Sequence, residues 1–213
     1  MVSVYLYVPN LIGYARIALA LLGYAMALTD YRVTVGCYLV SQLLDAADGY
    51  AARALKQSST FGAVLDMVTD RSSTTCFCVV LAHFYPQYIL GLTALVTLDM
   101  FSHWYHMYAS LLLGLGSHKE CTNPLLRFYY WKPVLFIACA GTEMWYMALY
   151  VLAHDQGPPI AALGGVPAMR ALLYACSPIC AFKQVANFVQ MGVACEALVA
   201  HDAEQAKKRP KRK

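Results

Sequence analysis

The chain has 213 residues, of which 60% are hydrophobic and 13% are charged, and its mean hydropathy is +0.49. This composition excludes a disordered chain, a coiled coil and a secreted disulfide scaffold, and it does not suit an ordinary soluble domain. The formal net charge is only +4. An integral membrane protein is the class that fits best.

Six apolar segments follow one another along the chain, and each is long enough to cross a bilayer, which takes about 20 residues. Their approximate bounds are 9–28, 33–55, 61–84, 88–113, 134–153 and 171–200. We therefore predict an all-α bundle of six transmembrane helices that forms one membrane domain, 1–206. A basic tail, 207–213, follows it and holds six of the 16 basic residues. Beside so hydrophobic a body, we interpret this tail as a cytosolic segment facing anionic lipid rather than nucleic acid.

The distribution of basic residues predicts the orientation, because cytosolic loops carry an excess of Lys and Arg. If the tail is cytosolic, the second and fourth loops share its side, and the other three loops face away. The cytosolic side then holds more basic residues: Arg53, Lys56, Lys119, Arg127 and Lys132, against Arg32 and Arg170. Six spans with both termini in the cytosol satisfy this bias.

Four aspartates lie inside the second and third segments, where carboxylates are unfavourable. Each costs about 2.5–3.5 kcal/mol on insertion scales, so such groups are kept where something compensates their charge. Asp45 and Asp48 are three apart, and Asp66 and Asp70 are four apart, so each pair shares one helix face. The short connection between the segments makes the two helices antiparallel neighbours, which places both pairs at the same cytosolic end.

Four converging carboxylates repel one another unless cations lie between them. Oxygen ligands suit hard divalent cations, so the pattern indicates Mg²⁺ or Mn²⁺. Cys and His are absent from this stretch, which argues against zinc.

Small residues flank the acidic ones. Gly49 follows Asp48, and Gly62 lies one turn before Asp66. They either open a slot for a flat base or a phosphate, or they allow close helix packing. Arg53 either neutralises a phosphate or extends toward the membrane interface.

Together these residues form the pattern D-x-x-D-G-x-x-A-R…G-x-x-x-D-x-x-x-D over positions 45–70. The pattern resembles the signature of the CDP-alcohol phosphotransferase family at all eight fixed positions. The opening segment 8–16 is also similar to that family. Three further stretches, 102–106, 117–119 and 123–130, resemble the inositol-using eukaryotic branch. The similarity covers most of residues 5–153.

The resemblance implies transfer of a phosphatidyl group from CDP-diacylglycerol to myo-inositol, which yields phosphatidylinositol and CMP. It implies two divalent ions, held by Asp45, Asp48, Asp66 and Asp70, and a second role for Asp70 as the base. It further implies that CDP-diacylglycerol contacts four residues: Gly49, Arg53, Ser59 and Asn10. A homodimer in the endoplasmic reticulum membrane, with a cytosolic active site, completes this expectation.

Two other functions stay open. A transferase of the same family could use another acceptor: glycerol phosphate, serine, choline or ethanolamine. The carboxylates could instead form the ion site of a cation transporter, although a transporter would place them nearer mid-membrane.

Two polar stripes also have two interpretations, as parts of an inositol pocket or as interhelical hydrogen bonds. They are Asp99, His103 and His106 in the fourth segment, and Lys183, Asn187 and Gln190 in the sixth.

Overall fold

The structure is a computed structural model that describes residues 3–114 and 123–208. The described residues form seven α-helices and one pair of two-residue strands. The helices are α1 (Val8–Met26), α2 (Tyr31–Ala54), α3 (Thr60–Phe84), α4 (Ile89–Leu113), α5 (Pro124–Tyr129), α6 (Lys132–Leu152) and α7 (Ala168–Lys208). The strands β1 (Pro159–Ile160) and β2 (Val166–Pro167) pair antiparallel between α6 and α7.

The all-α prediction is confirmed, and each of the six apolar segments corresponds to one helix. In the part of the chain that the structure describes, three helices are long and apolar enough to cross a membrane by length and composition: α1, α6 and α7. α5 was not predicted. It is a six-residue helix that Asn123 caps, with the Asn123 side chain accepting from the backbone N–H groups of Leu125 and Leu126.

α7 is longer than the predicted segment, because it begins at Ala168 and continues through Lys208. It therefore includes Lys207 and Lys208, the first two residues of the basic tail. The rest of the tail, 209–213, and the stretch 117–119 lie outside the described residues.

The chain forms two compact units. The first comprises Met1–Leu92 and Tyr146–Arg170, and the second comprises Thr93–Trp145 and Ala171–Lys213. The aspartates of the sequence pattern all belong to the first unit.

A close helix crossing and an aromatic core hold the first unit together. At the crossing of α1 and α2, a Cβ on Gly23 would lie 3.2 Å from the Cβ of Cys37. Phe77 of α3 is fully buried, and its ring centroid lies 4.6 Å from that of Tyr38 and 5.4 Å from that of Tyr150. The hydroxyl of Tyr150 donates to the carbonyl of Ala27 at 2.7 Å. These contacts fix α1, α2 and α3 relative to one another.

The end of α2 is a left-handed turn. Lys56 has a φ of 53°, and the Gln57 N–H donates back to the Ala52 carbonyl at 2.9 Å. This is a Schellman ending with lysine at the position where glycine is usual. The turn brings the Gln57 side chain to the start of α1, where its Oε1 accepts from the Val8 N–H at 2.8 Å.

α3 begins two residues later with a capping serine. The hydroxyl of Ser59 accepts from the Gly62 N–H at 3.0 Å, which satisfies one of the free N–H groups of the first turn. The short connection brings the carboxylate-bearing ends of α2 and α3 together, as predicted. In the described part of the chain, each of these helices packs closely against α1, and α2 and α3 do not pack closely against each other.

Candidate active site

The aspartates of α2 and α3 converge within the first unit. Asp45, Asp48 and Asp66 each offer a carboxylate oxygen, and these three oxygens lie within 4.8 Å of one another. The Asp48 side chain is the most buried of the four aspartates, at 10% exposure, whereas those of Asp45 and Asp66 are partly open to solvent. The structure thus brings three of the four predicted ligands together, and their ligand role stays a prediction.

Arg16 of α1 lies between all four aspartates. Its Nη1 donates to Asp48 Oδ2 and to Asp66 Oδ1, both at 2.9 Å. Its Nη2 lies 2.8 Å from Asp45 Oδ1 and donates to Asp70 Oδ1. Asp70 therefore joins the cluster through this guanidinium. The contacts bring three helices together at one group of charges.

Sequence reasoning missed the role of Arg16, although it included this residue in the opening segment. The signal was available, because an arginine within an apolar span normally marks a charged partner. The residue is only 1% exposed. Its partners lie 29 to 54 positions away, so local periodicity does not reveal them.

The donor set fits hard divalent cations. It consists of carboxylate oxygens, which Mg²⁺ and Mn²⁺ prefer, and the group of Asp45, Asp48 and Asp66 includes no sulfur or imidazole ligand. Each contact with Arg16 uses a single oxygen of a different aspartate. The second oxygen of Asp45, Asp48 and Asp66 is thus a candidate ligand, whereas the second oxygen of Asp70 lies 3.7 Å from Arg71 Nη2.

A cleft of about 160 Å³ lies beside the aspartates. Three of the four residues predicted to contact the nucleotide-lipid line it, namely Asn10, Gly49 and Ser59, together with Asp48 and Asp66. Arg53 is not among its lining residues. The exposed guanidinium of Arg53 lies next to Gly49, with Nη1 3.5 Å from the position that a Gly49 Cβ would take.

One wall of the cleft is tightly packed with polar groups. Asn10 is 1% exposed, and its Nδ2 donates to the Val4 carbonyl at 2.6 Å. A Cβ on Gly62 would lie 2.8 Å from Asn10 Oδ1 and 3.1 Å from Ser59 Oγ. The backbone at Gly62 therefore lies so close to two polar side chains that an added Cβ would displace them.

Gln57 is a further lining residue of the cleft, and sequence reasoning did not single it out. Its side chain ties the α2–α3 connection to the first residue of α1 through the Val8 N–H. No motif position distinguishes this glutamine, so only the folded chain reveals its place.

The two polar stripes meet within the second unit. Asn187 Nδ2 donates to Asp99 Oδ1 at 3.4 Å, and Gln190 Nε2 donates to the Ser102 carbonyl at 3.3 Å. The hydroxyl of Tyr130 donates to Gln190 Oε1 at 2.8 Å. This geometry favours the interpretation as hydrogen bonds between helices.

Comparison with known proteins supports the resemblance drawn from the sequence pattern. The family model of CDP-alcohol phosphatidyltransferase matches residues 6–200. The chain is 44% identical to the CDP-diacylglycerol–inositol 3-phosphatidyltransferase of Schizosaccharomyces pombe, over 95% of this chain and 93% of that protein. It is 42% identical to the Mus musculus protein of the same name, over 97% of this chain and 98% of the relative.

A more distant relative is CDP-diacylglycerol–inositol 3-phosphatidyltransferase 1 of Arabidopsis thaliana. It is 37% identical, over 97% of this chain and 94% of its own length. No solved structure matches the chain significantly. Since the family model covers nearly the whole chain and the relatives match it almost end to end, this chain belongs to the CDP-alcohol phosphatidyltransferase family.

Proposed function

We propose that this chain transfers a phosphatidyl group from CDP-diacylglycerol to a hydroxyl of myo-inositol, which yields phosphatidylinositol and CMP. The observation that carries the proposal is the convergence of four aspartates beside a cleft in a member of this family. The inositol acceptor follows from the names of relatives that are about 40% identical. All of them are transferases, which favours this reading over the cation transporter.

The cleft is the proposed site of the nucleotide end of CDP-diacylglycerol. Gly49 leaves room for the pyrophosphate next to Asp48, and the neighbouring Arg53 offers a positive charge to it. Ser59 and Asn10 also line the cleft and offer polar groups to it. The acyl chains stay in the lipid while CDP and inositol approach from water, which a site near one end of the helices allows.

The reaction forms a bond between the inositol oxygen and the phosphatidyl phosphorus, and it breaks the pyrophosphate bond to CMP. When bound, two divalent cations would neutralise the charge on the pyrophosphate and on the departing CMP. Asp45, Asp48, Asp66 and Asp70 are the residues that would hold them. Asp70 is also the residue proposed to take the inositol proton; its Oδ1 accepts from Arg16, and its Oδ2 lies 3.7 Å from Arg71 Nη2.

The membrane arrangement is a further part of the proposal. The domain 1–206 has six spans, formed by α1, α2, α3, α4, α6 and α7, and both termini lie in the cytosol. Helices α2, α3 and α4 have 24 or 25 residues, which suffices to cross the bilayer. A homodimer in the endoplasmic reticulum membrane, with its active site facing the cytosol, follows from the resemblance alone.

An acceptor assay tests the function. Purified protein in detergent–lipid micelles receives CDP-diacylglycerol and one labelled acceptor at a time: inositol, serine or glycerol phosphate. We expect label in lipid and release of CMP with inositol only. Labelled lipid from serine or glycerol phosphate, with none from inositol, would assign the chain to another branch of the family.

Replacing Gly62 by Ala tests the cleft wall. The added Cβ would lie 2.8 Å from Asn10 Oδ1, so Asn10 and Ser59 must shift. Overpacking of this kind costs about 1–3 kcal/mol. We expect this cost to weaken binding of CDP-diacylglycerol, so the CDP-diacylglycerol concentration for half-maximal activity should rise by about tenfold. The inositol concentration for half-maximal activity should change little.

Gly36→Ala is the matched control, since a Cβ at that position of α2 meets no atom within 4 Å. Its kinetics should equal those of the wild type. Equal values for Gly62→Ala as well would contradict the placement of the nucleotide-lipid in this cleft.

A further inference from the structure

Arg16 bridges α2 and α3 twice. Nη1 contacts Asp48 of α2 and Asp66 of α3, and Nη2 contacts Asp45 of α2 and Asp70 of α3. We propose that Arg16 is the positioning residue of the carboxylate cluster: it sets the four aspartates in the arrangement that receives divalent cations. The inference rests on the proposed function, because it assigns these aspartates as ligands.

The shape of guanidinium suits this role. Its two terminal nitrogens lie in one plane and donate in fixed directions, so each nitrogen can contact two carboxylates, one from α2 and one from α3. The single ammonium nitrogen of a lysine carries three donors and cannot span four carboxylates on two helices. The arrangement also leaves the buried Nε of Arg16 without a hydrogen-bond partner in the described structure. Such a donor is unfavourable, so the terminal contacts outweigh it.

Charge and ligand supply are both compatible with cations binding in the presence of Arg16. Four carboxylates, Arg16 and Arg71, whose Nη2 lies 3.7 Å from Asp70 Oδ2, leave two negative charges, which still attract divalent cations. Each contact with Arg16 takes one oxygen of a different carboxylate. Hydrogen bonds that orient a ligand from behind are typical of metal sites, and their loss costs about 10- to 100-fold in metal affinity or activity.

The test compares Mn²⁺ binding by the wild type and by Arg16→Lys, both as full-length protein in detergent. Electron paramagnetic resonance of free Mn²⁺ measures the number of bound ions and their affinity without turnover. Arg16→Lys keeps the charge and loses the four-way contact, so we expect Mn²⁺ binding to weaken by about 10- to 100-fold. Arg32→Lys, at the exposed start of α2, is the matched control and should bind like the wild type.

A second variant tests whether Arg16 orients the aspartates or competes with the cations for them. Arg16→Met removes the positive charge, so Mn²⁺ would bind more tightly if Arg16 merely competed with the cations. Binding to Arg16→Met or Arg16→Lys at wild-type affinity or better would overturn the proposal. A lower unfolding temperature with unchanged Mn²⁺ affinity would overturn it too, because the arginine would then only hold helices together. So would failure of both variants to fold.

The wild type tells the two hypotheses apart. If the wild type binds no Mn²⁺, the proposed function fails. If the wild type binds Mn²⁺ and the Arg16 variants bind it equally well, only the role of Arg16 fails.

Discussion

Replacing Asp70 by Asn is expected to abolish phosphatidyl transfer while the protein stays folded. Asn has the same size and keeps an oxygen that can accept from Arg16 at the Oδ1 position, so the cluster keeps its shape. It cannot take the proton of the inositol hydroxyl. Loss of a general base lowers the rate by about 10²- to 10⁴-fold, and loss of a ligand charge adds to this. The measurement is CMP release at saturating CDP-diacylglycerol and inositol.

Asp202→Asn provides the same chemical change on an exposed part of α7, and its activity should equal that of the wild type. The unfolding temperatures of both variants should lie close to that of the wild type. Near-normal CMP release by Asp70→Asn would remove the assignment of Asp70 as the base.

Removing divalent cations is expected to have an effect of similar size. The four carboxylates, Arg16 and Arg71 carry two net negative charges, and the pyrophosphate of CDP-diacylglycerol brings further negative charge next to them. Cations neutralise this repulsion, which is worth several kcal/mol in the transition state. Treatment with EDTA should therefore lower activity by at least about 10³-fold. Added Mn²⁺ or Mg²⁺ should restore it.

EDTA saturated with Mg²⁺ before addition is the control for effects of the chelator itself, and it should leave activity unchanged. The ion that activates at the lower concentration identifies the preferred cation. Product formation at an undiminished rate after complete chelation would contradict the metal-ligand role of all four aspartates.

The helices were predictable from the sequence because lipid leaves the backbone no water to bond with, so a long apolar run must satisfy its own hydrogen bonds. α3 illustrates this, since the segment 61–84 corresponds to Thr60–Phe84. The extension of α7 beyond position 200 was not predicted, because outside the apolar run helix length depends on residues such as Ala, Glu, Gln and Lys. A hydropathy pattern does not measure the helix propensity of these residues.

The site was only partly predictable. Spacing within one helix was enough to pair Asp45 with Asp48, and the short α2–α3 connection was enough to bring in Asp66. Neither helix spacing nor connection length predicts the contribution of α1, because Arg16 contacts aspartates that lie 29 to 54 residues away in the sequence. The same holds for Gln57 and Val8, whose contact depends on how the turn at Lys56 directs the chain.

The length of α7 has a consequence for the protein outside the bilayer. Its 41 residues extend about 61 Å, whereas the hydrocarbon layer is about 30 Å thick. Even a helix tilted by about 40° uses only about 39 Å of its length to cross. In the proposed membrane arrangement, about four turns of α7 therefore project past the lipid tails. In that arrangement, the final turn, where Lys208 pairs with Glu204 at 2.7 Å, carries the positive charge of Lys207 and Lys208 beyond the lipid tails.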